Sequence, residues 1–166
     1  MEIVTERLRL RPARSDDLAA LHAILSDPVA MRYWSSLPHP DLETTRGWLG
    51  DMIAAPADES FDFILEREGQ VIGKAGCWRV PEIGYILHPG HWGQGLAREA
   101  LAAILPAVFA RFDIPAITAD VDPRNLASLK LLAHLGFAET GRAARTWCVG
   151  GEWSDSVYLA LPRPAS

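Results

Sequence analysis

The chain has 166 residues, 49% apolar and 22% charged, with a formal net charge of −5; these proportions fit one globular domain spanning 1–166 and exclude a disordered or fibrous chain. The acidic balance, with no long basic run to offset it, argues against a nucleic-acid binder, and no uncharged apolar stretch reaches the ~18 residues of a membrane span. The first residues, Met1 to Glu6, lack a basic segment leading into an apolar one, so a cytoplasmic location is expected, and the two isolated cysteines, Cys77 and Cys148, read as reduced apolar thiols rather than as a disulfide or metal site. Arg7 to Arg11 alternates Leu8 and Leu10 with arginines, which predicts a strand with one wet face. Ser15-Asp16-Asp17 caps a helix whose Leu18, Leu21, His22 and Leu25 share a face, and Asp27-Pro28 reads as the cap and first-turn proline of another. A further helix is predicted from Asp41 to Ala54, with Leu42, Leu49, Met52 and Ile53 inward.

Phe61, Phe63 and Leu65 alternate with Asp62, Ile64 and Glu66, Glu68-Gly69 supplies a turn, and Val71 to Arg79 returns, the pattern of an antiparallel hairpin. Glu82 to Leu87 extends the sheet. Ala97, Ala100, Leu101, Ile104, Leu105, Val108 and Phe109 form a helical stripe broad enough to cover it, with Pro106 expected to kink or shorten the helix near Ala102. Ile114 to Val121 is the next strand, parallel to the preceding one through a right-handed crossover. Arg124 to Leu135 is a helix closed by Gly136, and Phe137 to Val149 with Trp153 to Leu161 forms a hairpin through Gly150-Gly151, whose exposed edge offers a route to a homodimer. His22, His39, His91 and His134 have no ligand spacing and read as solvated or structural, so no metal is expected.

The richest segment is His88-Pro89-Gly90-His91-Trp92-Gly93-Gln94-Gly95-Leu96-Ala97-Arg98, which joins an apolar strand to a helix. The amides of such a turn and the unpaired amides of a helix start converge on one spot and favour a phosphate. No Lys follows the glycines as in a P-loop, and Glu99 and Ala100 stand where a dinucleotide fingerprint needs its last glycine. Gly93, Gly95 and Ala97 instead leave three nearly side-chain-free positions, so that a pyrophosphate with an amide-bearing arm can lie against backbone.

Trp92-Gly93-Gln94-Gly95-Leu96-Ala97 resembles the pyrophosphate loop of the GNAT acyltransferases, with Trp92 in place of the usual Gln or Arg. That change, together with Asn125-Leu126-Ala127-Ser128 ahead of Gly136-Phe137, Thr5 to Pro12 at the start and Gly150 to Asp155 near the end, is similar to the ribosomal-protein N-terminal acetyltransferase branch. The resemblance covers nearly the whole chain. It implies an α/β (α+β) GNAT fold, a central mixed, mostly antiparallel twisted sheet with helices on both faces, splayed between the fourth and fifth strands in the order given above.

It also implies acetyl-CoA as co-substrate, and acetyl transfer to a primary amine, with a protein N-terminal α-amine as the leading acceptor. A small amine, or non-catalytic acyl-CoA binding, is the alternative. Carried onto this chain, the cofactor's pyrophosphate meets Trp92, Gly93, Gln94, Gly95, Leu96, Ala97 and Arg98, and its pantetheine arm fills the splay beside Ile86, Leu87 and His88, where a backbone N–H polarises the acetyl carbonyl. Asn125 bonds the pantetheine amide. The family's usual phenol, seven residues after this Asn, is replaced by Leu132, so Ser128 becomes the proton donor to the leaving thiolate and no phenol is expected. Glu82 is the candidate general base, with Asp155 and Glu152 as fallbacks, because Trp147 stands where some relatives place a glutamate. Tyr33, Trp34, Trp78, Tyr85 and Trp147 are the expected acceptor contacts.

Overall fold

In the computed structural model, which describes residues 1–166, a two-residue strand that the sequence pattern did not predict, β1 (Ile3–Val4), precedes the alternation expected from Arg7 to Arg11, which forms β2 (Arg9–Arg11). Its expected wet face does not extend to Arg11, which is buried between two carboxylates, Asp17 and Glu66, each 2.7 Å away. Two partners keep this buried charge compensated. Burial alone would push the Asp17 carboxyl up, but hydrogen bonds from Arg11 and from the Arg14 backbone hold it below the usual carboxylate range.

After a short 3-10 turn at Ser15–Asp17, α1 (Leu18–Leu25) buries Leu21, Ile24 and Leu25. No helix follows Asp27. Its carboxylate does accept from the Val29 and Ala30 amides, but only turns and bends continue to Ser36; Tyr33, Trp34 and two serines propagate a helix weakly, and Pro38 bars its extension. The helix α2 (Leu42–Ala54) is capped by Asp41, which accepts from the Thr44 amide at 2.8 Å. Its inward face is Thr45, Leu49 and Met52, whereas Leu42 and Ile53 are exposed because both lie beyond the Leu49 edge of that stripe, on the same side of the helix. The Thr45 hydroxyl meets the Nδ1 atoms of both His22 and His39 at 2.7 Å, which gives these two histidines a structural role.

The hairpin appears as β3 (Phe61–Arg67) and β4 (Gln70–Arg79), followed by β5 (Glu82–Leu87), β6 (Ala116–Val121), β7 (Ala138–Val149) and β8 (Glu152–Pro162). All join one sheet in the order β1-β2-β3-β4-β5-β6-β8-β7, with β7 at an edge. Every neighbouring pair is antiparallel except β5 and β6, which are parallel and share a single register pair, Glu82 with Thr118. Beyond that pair the strands part. With β1 counted, this is the splay expected between the fourth and fifth strands.

Helix α3 (Leu96–Arg111) runs unbroken through Pro106, against the expected kink. Pro106 and Ala102 both face solvent, so the carbonyl that loses its partner is open to water and the proline ring meets no neighbouring element. α4 (Leu126–His134) follows β6. Leu96, Leu101, Ile104, Val108 and Leu132 from α3 and α4 pack on one face of the sheet against Phe63, Ala75 and Ile83, while α1 and α2 cover Ile64 and Ile86 on the other. No helix is long and apolar enough to cross a membrane. Cys77 is buried, but Cys148 is exposed on β7, so only one thiol is part of the core.

Candidate functional site

The glycine loop is built from its backbone. Gly93 and Gly95 have φ of +73° and +74°, a left-handed conformation that disfavours any side chain, and a Cβ at Gly93 would point into open space. Gly95 is the residue before α3, and the first intrahelical bond runs from the Glu99 amide to its carbonyl at 3.0 Å. The amides of Leu96, Ala97 and Arg98 are therefore left without helical partners at a positive helix end. An open cradle lined by unpaired donors fits a pyrophosphate.

Distant side chains hold this loop in shape. Arg7 donates to the Gln94 carbonyl at 2.8 Å and to the Glu99 carboxylate at 2.7 Å, which also accepts from the Thr5 hydroxyl at 2.6 Å. Burial works against the Glu99 charge, yet these hydrogen bonds keep its carboxyl below the usual range. Arg67 donates to the Gln94 side chain at 2.9 Å. The Trp92 indole donates to the Leu87 carbonyl at 3.0 Å and so ties the loop to the end of β5.

Strand alternation sorts the three residues expected beside the acetyl group. The His88 amide is already used, donating to the Ile72 carbonyl at 2.8 Å, and by the period of the antiparallel ladder the Ile86 amide also points toward β4. Leu87 is the residue of the three whose N–H faces the gap, so among Ile86, Leu87 and His88 its amide is the one the β4 ladder leaves unused. Asn125 caps α4 by accepting from the Ser128 amide at 3.3 Å through its side-chain oxygen, which leaves its side-chain NH₂ unused by the cap.

The same alternation sends β5 side chains to opposite faces of the sheet. Glu82, Gly84 and Ile86 face α1 and α2, and Tyr85 faces α3 and α4, where its hydroxyl hydrogen-bonds the Ser128 hydroxyl. This corrects two expectations. Tyr85 does not line the cleft on the α1/α2 face, where Tyr33, Trp34, Trp78 and Trp147 lie, and a phenol is present beside Ser128, supplied from β5 rather than from position 132, where Leu132 is fully buried. Burial pushes the Tyr85 phenol up to about 12, although its Ser128 bond pulls the other way, so it keeps its proton.

On the α1/α2 face a cleft of about 960 Å³ opens between the segment after α1, the middle of the sheet and the β7–β8 hairpin. Tyr33, Trp34, Trp78 and Trp147 all line it as expected, together with Glu82 and both fallback acids, Glu152 and Asp155. Although Glu82 is open to the cleft, the walls around its carboxyl and then the nearby Asp120 push it above the usual carboxylate range. Asp155 accepts from the Arg145 amide at 2.9 Å and Glu152 pairs with Arg124 at 3.2 Å, so both fallbacks are engaged elsewhere.

Several contributors were missed in the sequence. Asp120 accepts from the Trp147 indole at 3.1 Å beside Glu82. Arg124 bridges Asp122 at 2.7 Å and Glu152, and stacks over Tyr33 at 5.7 Å, which joins three walls of the cleft. On the floor, Lys74 and Asp62 form a buried pair at 2.8 Å. Lone charges inside apolar strand runs were the available signal for Lys74 and Asp120; nothing local marked Arg124.

An Acetyltransferase (GNAT) domain model matches residues 7–138. The uncharacterized N-acetyltransferase p20 of Bacillus licheniformis is 32% identical over 148 residues, covering 84% of this chain and 83% of that protein. The [ribosomal protein uS5]-alanine N-acetyltransferase of Escherichia coli is 34% identical over 104 residues, 58% of this chain and 54% of that protein. The crystal structure of a GNAT-family acetyltransferase from Bacillus anthracis superimposes with a TM-score of 0.83 at 26% identity, covering 98% of each chain. The chain belongs to the GNAT acetyltransferase family, and acetyl-CoA is its co-substrate.

Proposed function

We propose that this GNAT acetyltransferase, acting as one domain over residues 1–166, acetylates an N-terminal α-amine of a peptide or protein, with Glu82 as general base and Ser128 as proton donor. The observation that carries this reading is the position of Glu82. It stands at the one register pair between β5 and β6, where the strands begin to part, lines the cleft, and has its carboxyl pushed up by burial and by Asp120. A carboxyl so raised is a better proton acceptor near neutral pH than an ordinary surface glutamate.

Acetyl-CoA supplies the activated thioester carbonyl. The amides of the glycine loop bind the pyrophosphate, and Trp92 holds the loop against β5. The Leu87 N–H is aimed at the gap, where it stabilises negative charge on the carbonyl oxygen. Glu82 takes a proton from the incoming ammonium, since a protonated amine cannot attack, and passes it to the cleft water. Ser128 lies on the other face of the sheet and holds a proton for the departing sulfur, so acid and base do not neutralise each other.

The cleft suits a cation. Seven carboxylates line it, Asp51, Asp62, Glu82, Asp120, Asp122, Glu152 and Asp155, against four basic residues, Arg32, Lys74, Arg79 and Arg124. The Escherichia coli relative is named as an N-acetyltransferase of an alanine of ribosomal protein uS5, which supports an amine of a protein backbone as acceptor. The acidity of the cleft also favours a second reading, a polyamine.

The test is a pH–rate profile of wild type and Glu82→Gln with an alanine-initiated peptide and with spermidine. The peptide is expected to be the better substrate. Glu82→Gln is expected to lower kcat/KM about 100-fold at neutral pH, with the loss shrinking as pH approaches the amine pKa, ~8 for an α-amine and ~10.4 for a lysine-like amine. Superimposable profiles would remove Glu82 from the chemistry, and turnover of spermidine alone would replace the peptide acceptor.

A further inference from the structure

We infer that Tyr85 is a positioning residue for the acyl-transfer step, donating its phenolic hydrogen bond to Ser128 so that the single proton of Ser128 is left free to point at the leaving sulfur. This rests on the assignment of Ser128 as the donor. Neither hydroxyl has another side-chain partner, and the two approach from different elements, β5 and α4, across the splay between β5 and β6. Each carries one proton, so in their mutual bond one donates and the other keeps a free hydrogen. A phenol is the stronger acid of the two and the better donor. Tyr85 remains protonated because burial has pushed it up to about 12, and it cannot turn toward the acceptor cleft because its ring is packed on the α3/α4 face.

The consequence is directional. With the phenol donating into Oγ, the Ser128 hydrogen points away from Tyr85 and is left for the leaving sulfur. As the acetyl carbon–sulfur bond breaks, sulfur keeps the electron pair and takes the Ser128 proton. Charge developing on Oγ is held by the phenol until solvent, which has received the proton removed from the amine, returns one to Oγ. No further reactant is needed. In such a chain each hydrogen bond polarises the next, so removing the phenol weakens Ser128 as an acid without removing it.

The experiment is a double-mutant cycle of Tyr85→Phe and Ser128→Ala, with steady-state kinetics and calorimetry. Tyr85→Phe keeps the ring and its packing, and is expected to lower kcat about tenfold, with KM for acetyl-CoA unchanged. Ser128→Ala is expected to lower kcat about 100-fold, and the double variant should be no slower than Ser128→Ala alone. The second readout is binding of CoA against desulfo-CoA from pH 7 to 9.5. In wild type an oriented donor favours the thiolate, so the advantage of CoA should grow as pH rises; both single variants should lose that growth while binding desulfo-CoA normally, which also reports an intact fold. An unchanged kcat in Tyr85→Phe, or fully additive effects, overturns the inference and leaves Ser128 in place. A slow Tyr85→Phe beside an unaffected Ser128→Ala overturns both assignments, because the phenol would then act directly.

Discussion

The glycine loop and the cleft on the α1/α2 face flank the same strand, β5, and are made of different material. The loop draws its donors from the backbone of residues 93–98, fixed by two left-handed glycines and a helix start. The cleft draws carboxylates and aromatic rings from side chains on the segment after α1, α2, the β3–β6 part of the sheet and the β7–β8 hairpin, and its walls are joined by Arg124. A site built from backbone fails all at once when its conformation is lost, whereas a site built from separate side chains changes by increments. Substitutions in the two regions should therefore differ in kind as well as in size.

The largest effect is expected in the loop. Gly95→Val places a β-branched side chain at a φ of +74°, and CoA affinity by calorimetry should fall about 100-fold or more, with the far-UV spectrum retained. Wild-type affinity in a folded variant would show that the loop does not hold the pyrophosphate. In the cleft, Asp120→Asn removes the repulsion that helps to raise Glu82, so the Glu82 carboxyl should ionise at lower pH. The rising limb of kcat/KM, which reports the base losing its proton, should shift down in pH while the glycine loop keeps its CoA affinity. A limb that stays in place would mean that Glu82 is not the group it reports. The smallest effect is expected for Arg124→Ala, which separates Asp122, Glu152 and Tyr33: acceptor KM should rise about threefold, in keeping with the worth of exposed pairs, with kcat unchanged. A larger loss in kcat than in KM would make Arg124 part of the chemistry rather than of the cleft wall.

Much of the scaffold was legible in the sequence because its rules are local. The β3–β4 hairpin and the α3 stripe follow from periodicity within a few residues. The errors occurred where a neighbour far along the chain decides. Arg11 looked wet until Asp17 and Glu66 enclosed it. Pro106 looked disruptive, yet its side of α3 faces water. Leu42 and Ile53 fit a helical stripe, but the buried face of α2 is confined to Thr45, Leu49 and Met52 and leaves them exposed at its edge.

By itself the sequence determined the conformation of the glycine loop, because the permitted φ of glycine and the unpaired amides of a helix start belong to the residues that carry them. It also located Glu82 at a strand end and Ser128 at a helix start. Only the tertiary structure decided what those side chains face: the register of β4 on β5 used the His88 amide and freed that of Leu87, the parting of β5 from β6 let Tyr85 reach Ser128, and the folding back of the β7–β8 hairpin brought Trp147 to Asp120. Side-chain meetings depend on strand register and on long-range packing, which no short window of sequence contains.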